Sequence, residues 1–244
     1  MKSIKTEKKN FSMEDFAKGL MLAGYLMPES IHELNEREAL ESYETELSAQ
    51  TSSKTYFRRV VLAAEIVSKL YEEPTLGRIK FQKLVYLCEH NAGMNLQERY
   101  SKQAAGPFDN KFMHSIAKEF KKNKWFTETK VESKGITRTK YLPLENCDGY
   151  KKYYQNYFVN EDENIQYIIE LFRKTSTDFT ELATTVFACF KELSLKSIPV
   201  QNDELLSLFY EWSEKKKRFT EKQVLDSIDW LCEKGLIDAA NLNS

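Results

Sequence analysis

Residues 77–93 read GRIKFQKLVYLCEHNAG. The chain then turns at Ala104-Ala105-Gly106-Pro107, resumes as DNKFMHSI over 109–116, and ends in two alternating runs on either side of Ser133-Lys134-Gly135. Ile79, Leu84, Leu87 and Cys88 recur at helical spacing and stop before Gly93, a residue suited to a helix end. Lys80 and Lys83, three apart, read as adjacent groups on the surface of that helix. Pro107 removes an amide donor and disfavours helix at Gly106, so 104–107 is read as a fixed turn. Asp109 is suited to cap the next helix, in which Phe112, Ile116 and Phe120 face inward. After Trp125 the period changes to two, through FTETKV (126–131) and ITRTKY (136–141), with a Gly-containing three-residue connection that predicts a hairpin closed by Pro143. Helix, turn, helix and hairpin, with a further helix before them at 56–70, is the order of a winged helix.

Outward from this centre, YFRRVVLAAEIVSKL (56–70) carries a wide apolar face and reads as a core helix. Upstream, a short helix is expected from Ser12 to Gly24. A second at 29–49 has an apolar stripe from Ile31 to Leu47 on an otherwise acidic surface, suited to packing on the body or on a second copy of the chain. Downstream, YKKYYQNYF (150–158) is an aromatic run that either covers a core or stacks bases, the covering role being the commoner use of such a run. Helices follow at 165–174, at 179–195 opened by Asp178 and Glu181, at 203–212, and from the Thr220/Gln223 box to Gly235. The fold class expected is mostly α: a winged-helix-like centre with one small β-hairpin, followed by a helical bundle. The divisions expected are 1–53, 54–158 and 159–244.

Composition bounds what this chain can do. Of its 244 residues 41% are apolar and 13% aromatic, enough for a substantial core. The net charge of −1 conceals −4 over residues 1–50, +9 over 51–158 and −6 over 159–244, so an anionic partner would be drawn to the middle. Cys88, Cys147, Cys189 and Cys232 lie far apart without metal-ligand spacing, which points to reduced thiols in a cytoplasm and to no metal site or cofactor. No apolar run is long enough to span a bilayer, and the basic start MKSIKTEKKN leads into no secretory signal.

Covalent or metal-assisted catalysis requires a cluster of oriented groups, and the three histidines, His32, His90 and His114, form no HxxxH pair. Glu89-His90 could join a site, although a satisfied histidine at a helix end is the simpler reading. The basic residues are the stronger signal. Lys111, Lys118, Lys121, Lys122 and Lys124 at the second helix, with Lys130, Lys134, Arg138 and Lys140 on the hairpin, have the composition of a nucleic-acid-binding helix and wing. Base reading calls for Arg, Asn or Gln near the helix start, where Asn110 stands alone, so non-specific duplex contact or docking on an acidic protein fits better.

Lys80-Phe81-Gln82-Lys83-Leu84-Val85-Tyr86 followed by Gly106-Pro107 resembles the Panacea, or SocA-like, antitoxin domain, with Ala105 where that family has an aromatic. A longer stretch, marked by Val61-Leu62-Ala63-Ala64-Glu65-Ile66, Gly77-Arg78-Ile79-Lys80, Lys124-Trp125-Phe126 and the ending from Trp230 to Leu236, is similar to a bacterial module found alone and attached to specificity subunits of type I restriction systems. The resemblance implies a non-enzymatic protein that binds a toxin or another protein partner, with Lys80, Lys83, Tyr86, Gly106 and Pro107 as the positions carried over. It leads to the expectation of an antitoxin-like interaction module of a toxin-antitoxin or phage-defence system. The alternative is a DNA-binding accessory of a type I restriction-modification system.

Overall fold

A computed structural model describes residues 52–94, 100–133, 136–195 and 200–243. The helices expected around 12–24 and 29–49, and with them the acidic surface suggested for self-association, lie outside the described residues, as does Lys134. The chain from Phe57 onward forms one compact unit. It is mostly α, with eight α-helices and three two-stranded sheets among the described residues.

Helix α1 (52–70) is buried without interruption from Arg59 to Val67, because its apolar side chains occupy every side of the helix and not one stripe. Helix α2 (Arg78–Asn91) follows the turn at Pro74 and ends at Gly93, whose φ of 63° is the left-handed conformation glycine accepts without cost. It too is covered all round, from Lys80 to Glu89. Ile79, expected to face the core, stands 41% exposed at its first turn.

The stretch expected as a turn at 104–107 is a β-hairpin. Strand β1 (Ser101–Gln103) pairs antiparallel with β2 (Gly106–Phe108), the turn is confined to Ala104-Ala105, and Gly106-Pro107 are strand residues. Pro107 is tolerated because a short edge strand has no further partner to receive an amide. Helix α3 (Asn110–Lys122) then opens on Asp109, whose carboxylate accepts from the Phe112 amide at 3.0 Å. Its inward residues are Phe112, Met113, Ile116 and Phe120. Strands β3 (Phe126–Ser133) and β4 (Ile136–Pro143) form the expected hairpin in the register Phe126↔Pro143 to Ser133↔Ile136. The three helices and the hairpin of the expected order are present, with the additional β1–β2 hairpin between α2 and α3.

Helix α4 (Lys151–Tyr157) takes the covering role: Tyr150, Tyr154 and Phe158 are buried, and the Tyr150 hydroxyl donates to Glu65 of α1 at 2.6 Å. Helix α5 (Asp162–Phe172) buries Ile165, Ile168, Ile169 and Phe172. Helix α6 (Thr177–Ser194) is capped by Ser176, two residues ahead of the Asp178 expected to open it, because Glu181 is engaged by Lys216. Strand β5 (Val200–Gln201) leads into α7 (Asn202–Glu211), a 3-10 turn (Glu214–Arg218) and α8 (Glu221–Glu233). The Thr220/Gln223 capping box opens α8 as expected, and Gly235, at φ 67°, ends it. A last strand, β6 (Leu242–Asn243), pairs in parallel with β5, so β-structure is not confined to the central hairpin. Helices α5 and α6 pack directly on α2, and this contact crosses the boundary expected at 158/159.

Asp109 is both a helix cap and, through its second oxygen, the partner of Arg59 at 2.7 Å. Asp109→Ala should therefore cost about 3–5 kcal/mol, the usual consequence of leaving one member of a buried ion pair alone. Ser176→Ala, which removes a cap and nothing else, should cost about 1 kcal/mol. Equilibrium denaturation of the two variants checks the difference.

Candidate functional site

Two groups of residues were expected to meet a partner, and the structure treats them oppositely. The first, on α2 and at Gly106-Pro107, is internal. Lys80 has 0% exposure; its ammonium donates to the Thr75 hydroxyl at 2.8 Å and to the carbonyls of Arg173 at 3.0 Å and Thr175 at 2.7 Å. All three of its donors are used, and burial lowers its pKa to about 8. Lys83, also at 0%, donates to the Pro107 carbonyl at 2.7 Å, beside Gln82, which donates to the same oxygen at 3.1 Å. Burial, reinforced by the neighbouring Lys216 charge, lowers Lys83 to about 7. Tyr86 packs its ring on His90 at 4.2 Å and edge-on to Tyr100 at 4.8 Å between centroids.

Lys80 and Lys83 are therefore not surface groups. Their spacing does place them side by side on the helix, but the side in question is the one that α5, α6 and the β1–β2 hairpin cover. The structure brings Lys83, Gly106 and Pro107 together, puts Tyr86 one turn further along the same helix, and sends Lys80 to the opposite end, where it closes the α5–α6 connection. Gly106 is required by this packing. Its φ is 103°, and a Cβ placed there would lie 2.7 Å from the Thr185 hydroxyl and 3.2 Å from the Lys83 ammonium.

A second buried cluster lies at the far end of α2. Arg59 donates to Glu89 at 2.6 Å and to Asp109 at 2.7 Å, and Tyr100 donates a short hydrogen bond to Glu89. Burial pushes the Glu89 carboxyl up, against the pull of the guanidinium. Sequence reading missed this cluster, although an arginine directly preceding an unbroken apolar run is a signal that a buried partner exists. Glu89 and His90 do not converge on one point: Glu89 faces Arg59 and Tyr100, whereas His90, lowered to about 4 chiefly by burial, packs on Tyr86.

The second group is external. Lys111, Lys118, Lys121, Lys122, Lys124, Lys130, Arg138 and Lys140 are all exposed. Lys122 is 3.8 Å from Glu119 and Lys124 is 2.6 Å from Glu145; among the described residues no ion pair reaches the other six. On the hairpin they divide. Thr127, Thr129, Val131, Arg138, Lys140 and Leu142 share one face by register, while Lys130 lies on the other face with Phe126 and Tyr141. On the first of these faces Val131 is 39% and Leu142 45% exposed, so apolar groups accompany the two cations.

Among the described residues no group of His, Cys, Asp or Glu is arranged to hold a metal ion, and no helix is long and apolar enough to cross a membrane. No family model, curated protein or solved structure matches the chain.

Gly106→Ala should destabilise the protein by about 2–3 kcal/mol, since it combines a left-handed backbone with a contact no Cβ tolerates. Gly77→Ala, where φ is −111° and nothing lies within 4 Å, should cost less than about 1 kcal/mol. Thermal unfolding of the pair distinguishes a packing requirement at Gly106 from a general intolerance of alanine for glycine.

Proposed function

We propose that this chain is a non-catalytic bacterial interaction module of the cytoplasm, antitoxin-like, that binds and regulates a protein partner in a toxin-antitoxin or phage-defence system. The observation that carries this reading is the outer face of the β3–β4 hairpin, where exposed Val131 and Leu142 stand beside Arg138 and Lys140. Apolar groups beside cations suit an acidic protein surface better than a phosphate backbone alone, because they gain from burial as well as from charge. The five positions carried over from the Panacea resemblance do not supply the partner contact. All five are buried, so contact residues on this reading lie outside them. The test is co-purification with candidate toxins or restriction subunits encoded beside the gene. Wild-type protein should retain its partner, and Leu142→Asp or Arg138→Glu should weaken the complex at least tenfold without lowering the unfolding temperature. Retention unchanged in both variants would remove the hairpin face from the account.

A second reading, a DNA-binding accessory subunit of a type I restriction-modification system, is favoured by the exposed cations Lys111, Lys118 and Lys121 along α3, which no ion pair reaches among the described residues. Contact with about four phosphates would lower duplex affinity roughly 100-fold between 50 and 200 mM salt. Fluorescence anisotropy with a random duplex, repeated with Lys121→Glu, Lys122→Glu and Lys124→Glu combined, should show that slope and its loss if this reading holds. Salt-independent binding, or none at low salt, excludes it.

A further inference from the structure

Lys80 and Lys83 both have 0% exposure, and their surroundings differ. Lys80 has three acceptors for its three donors. Lys83 has, among the described residues, a single one, the Pro107 carbonyl at 2.7 Å. The charged groups around Lys83 offer it little else. From α6 comes Glu181, already engaged by Lys216 at 2.8 Å and by Arg218 at 3.3 Å. From the 3-10 turn comes Lys216, a second buried cation that also donates to Thr185 at 2.9 Å. From the β1–β2 hairpin comes only the backbone. Cys189, further along α6, is held neutral by burial, which pushes its thiol up to about 12. The site thus contains two ammonium groups, one carboxylate bonded to the wrong one of them, and no access to water. A neutral Lys83 amine fits that arrangement; a charged one does not.

The same amine holds the hairpin in place. Lys83 and Gln82 grip Pro107 from α2, Gly106 lies flush against Thr185 of α6, and the hairpin's other end is tied by the Trp212 indole to the Gln103 carbonyl at 2.8 Å and by the Ser213 hydroxyl to the Ala104 carbonyl at 3.1 Å. We propose that Lys83 is the titrating element of a proton-sensitive latch: the β1–β2 hairpin is clamped between α2, α6 and the Trp212-Ser213 segment while Lys83 is neutral, and proton uptake at Lys83 releases it. Release carries the new charge to water and leaves Lys216 paired with Glu181. The direction follows from linkage. The clamped form holds its Lys83 proton more weakly than an exposed lysine, so opening is favoured as pH falls from about 10 and levels off below about 7. The opening equilibrium should rise about fifty-fold between pH 9 and pH 7.

Hydrogen exchange of the amides at 101–108 and of the Trp212 indole, corrected for intrinsic rates and followed from pH 6 to 9 on the full chain, reads this directly. Wild-type protein should lose protection in that segment as pH falls, while α3 and the β3–β4 hairpin keep theirs. Lys83→Met should abolish the pH dependence. Protection that is flat with pH in the wild type, or pH dependence that survives in Lys83→Met, overturns the latch. Should that variant fail to fold, NMR of 13Cε-labelled lysine in the wild type decides: one resonance titrating near pH 7 is expected, and every lysine titrating near pH 10 refutes the proposal.

Discussion

The Arg59 guanidinium is the constraint on which the arrangement of this protein rests. It cannot discharge itself by losing a proton, so once buried it must be surrounded by acceptors. Glu89 at 2.6 Å comes from the end of α2 and Asp109 at 2.7 Å from the start of α3, while the Phe112 ring lies 3.8 Å below its plane. Three segments distant in sequence are thus fixed by one cation, and the aspartate fixed there also sets where α3 begins. Apolar packing would tolerate some sliding of α2 over α1. A charge that must find two carboxylates tolerates none, which is how a buried ion pair contributes specificity even where its net stabilisation is small.

Helix α2 repeats the device along its length. Lys80 ties it to the carbonyls between α5 and α6, Lys83 to the hairpin strand at Pro107, and Glu89 to Arg59. Each polar group sits where the helix meets a different neighbour. A helix with neighbours on every side has no solvent face on which to leave such groups, and every one of them has to be paired inside the protein. Lys80, Lys83 and Tyr86, three apart along α2, therefore belong to the scaffold.

That explains how far the sequence could be read. Local signals were sound: Asp109 caps α3, Thr220 and Gln223 open α8, Gly93 and Gly235 end their helices, and alternation located β3 and β4 to within two residues. Each of these depends on residues within a turn of one another. The fate of Lys80 and Lys83 depends on carbonyls up to 95 positions away, and periodicity reports which face a residue occupies without reporting what later covers it. The stretch 94–108 reads as a loop or short strand ending in Gly106-Pro107, and the pairing of β1 with β2 escaped for a related reason. Its strands are three residues each, too short to show alternation, and Gly106-Pro107 are residues that usually mark a turn. Ser176 displaced Asp178 as a cap because Glu181 is drawn inward to Lys216, a lysine indistinguishable by sequence within its run of basic residues.

Since Lys80, Lys83 and Tyr86 are buried in the scaffold, partner discrimination on the proposed reading would fall to residues outside them, and the scaffold's contribution is rigidity. The junction between α3 and the β3–β4 hairpin shows how this is achieved. Lys124 adopts a φ of 58°, uncommon for a residue with a side chain, and is held there by amide hydrogen bonds from Lys124 to Lys121 at 3.1 Å and from Trp125 to Phe120 at 2.9 Å. The amides of Leu144 and Asn146, just past the far end of the hairpin, donate back to Trp125 and Lys124 at 2.9 and 3.0 Å. With Trp125 buried between Phe120 and Tyr150, the helix and the hairpin are set at one angle before any partner arrives. The backbone that carries the exposed cations is fixed, so binding on this face, on the proposed reading, would be spared much of the ordering cost that flexible basic segments incur. The left-handed Lys124 at the foot of the hairpin, with the hydrogen bonds and the buried Trp125 around it, thereby sets the angle between α3 and the hairpin.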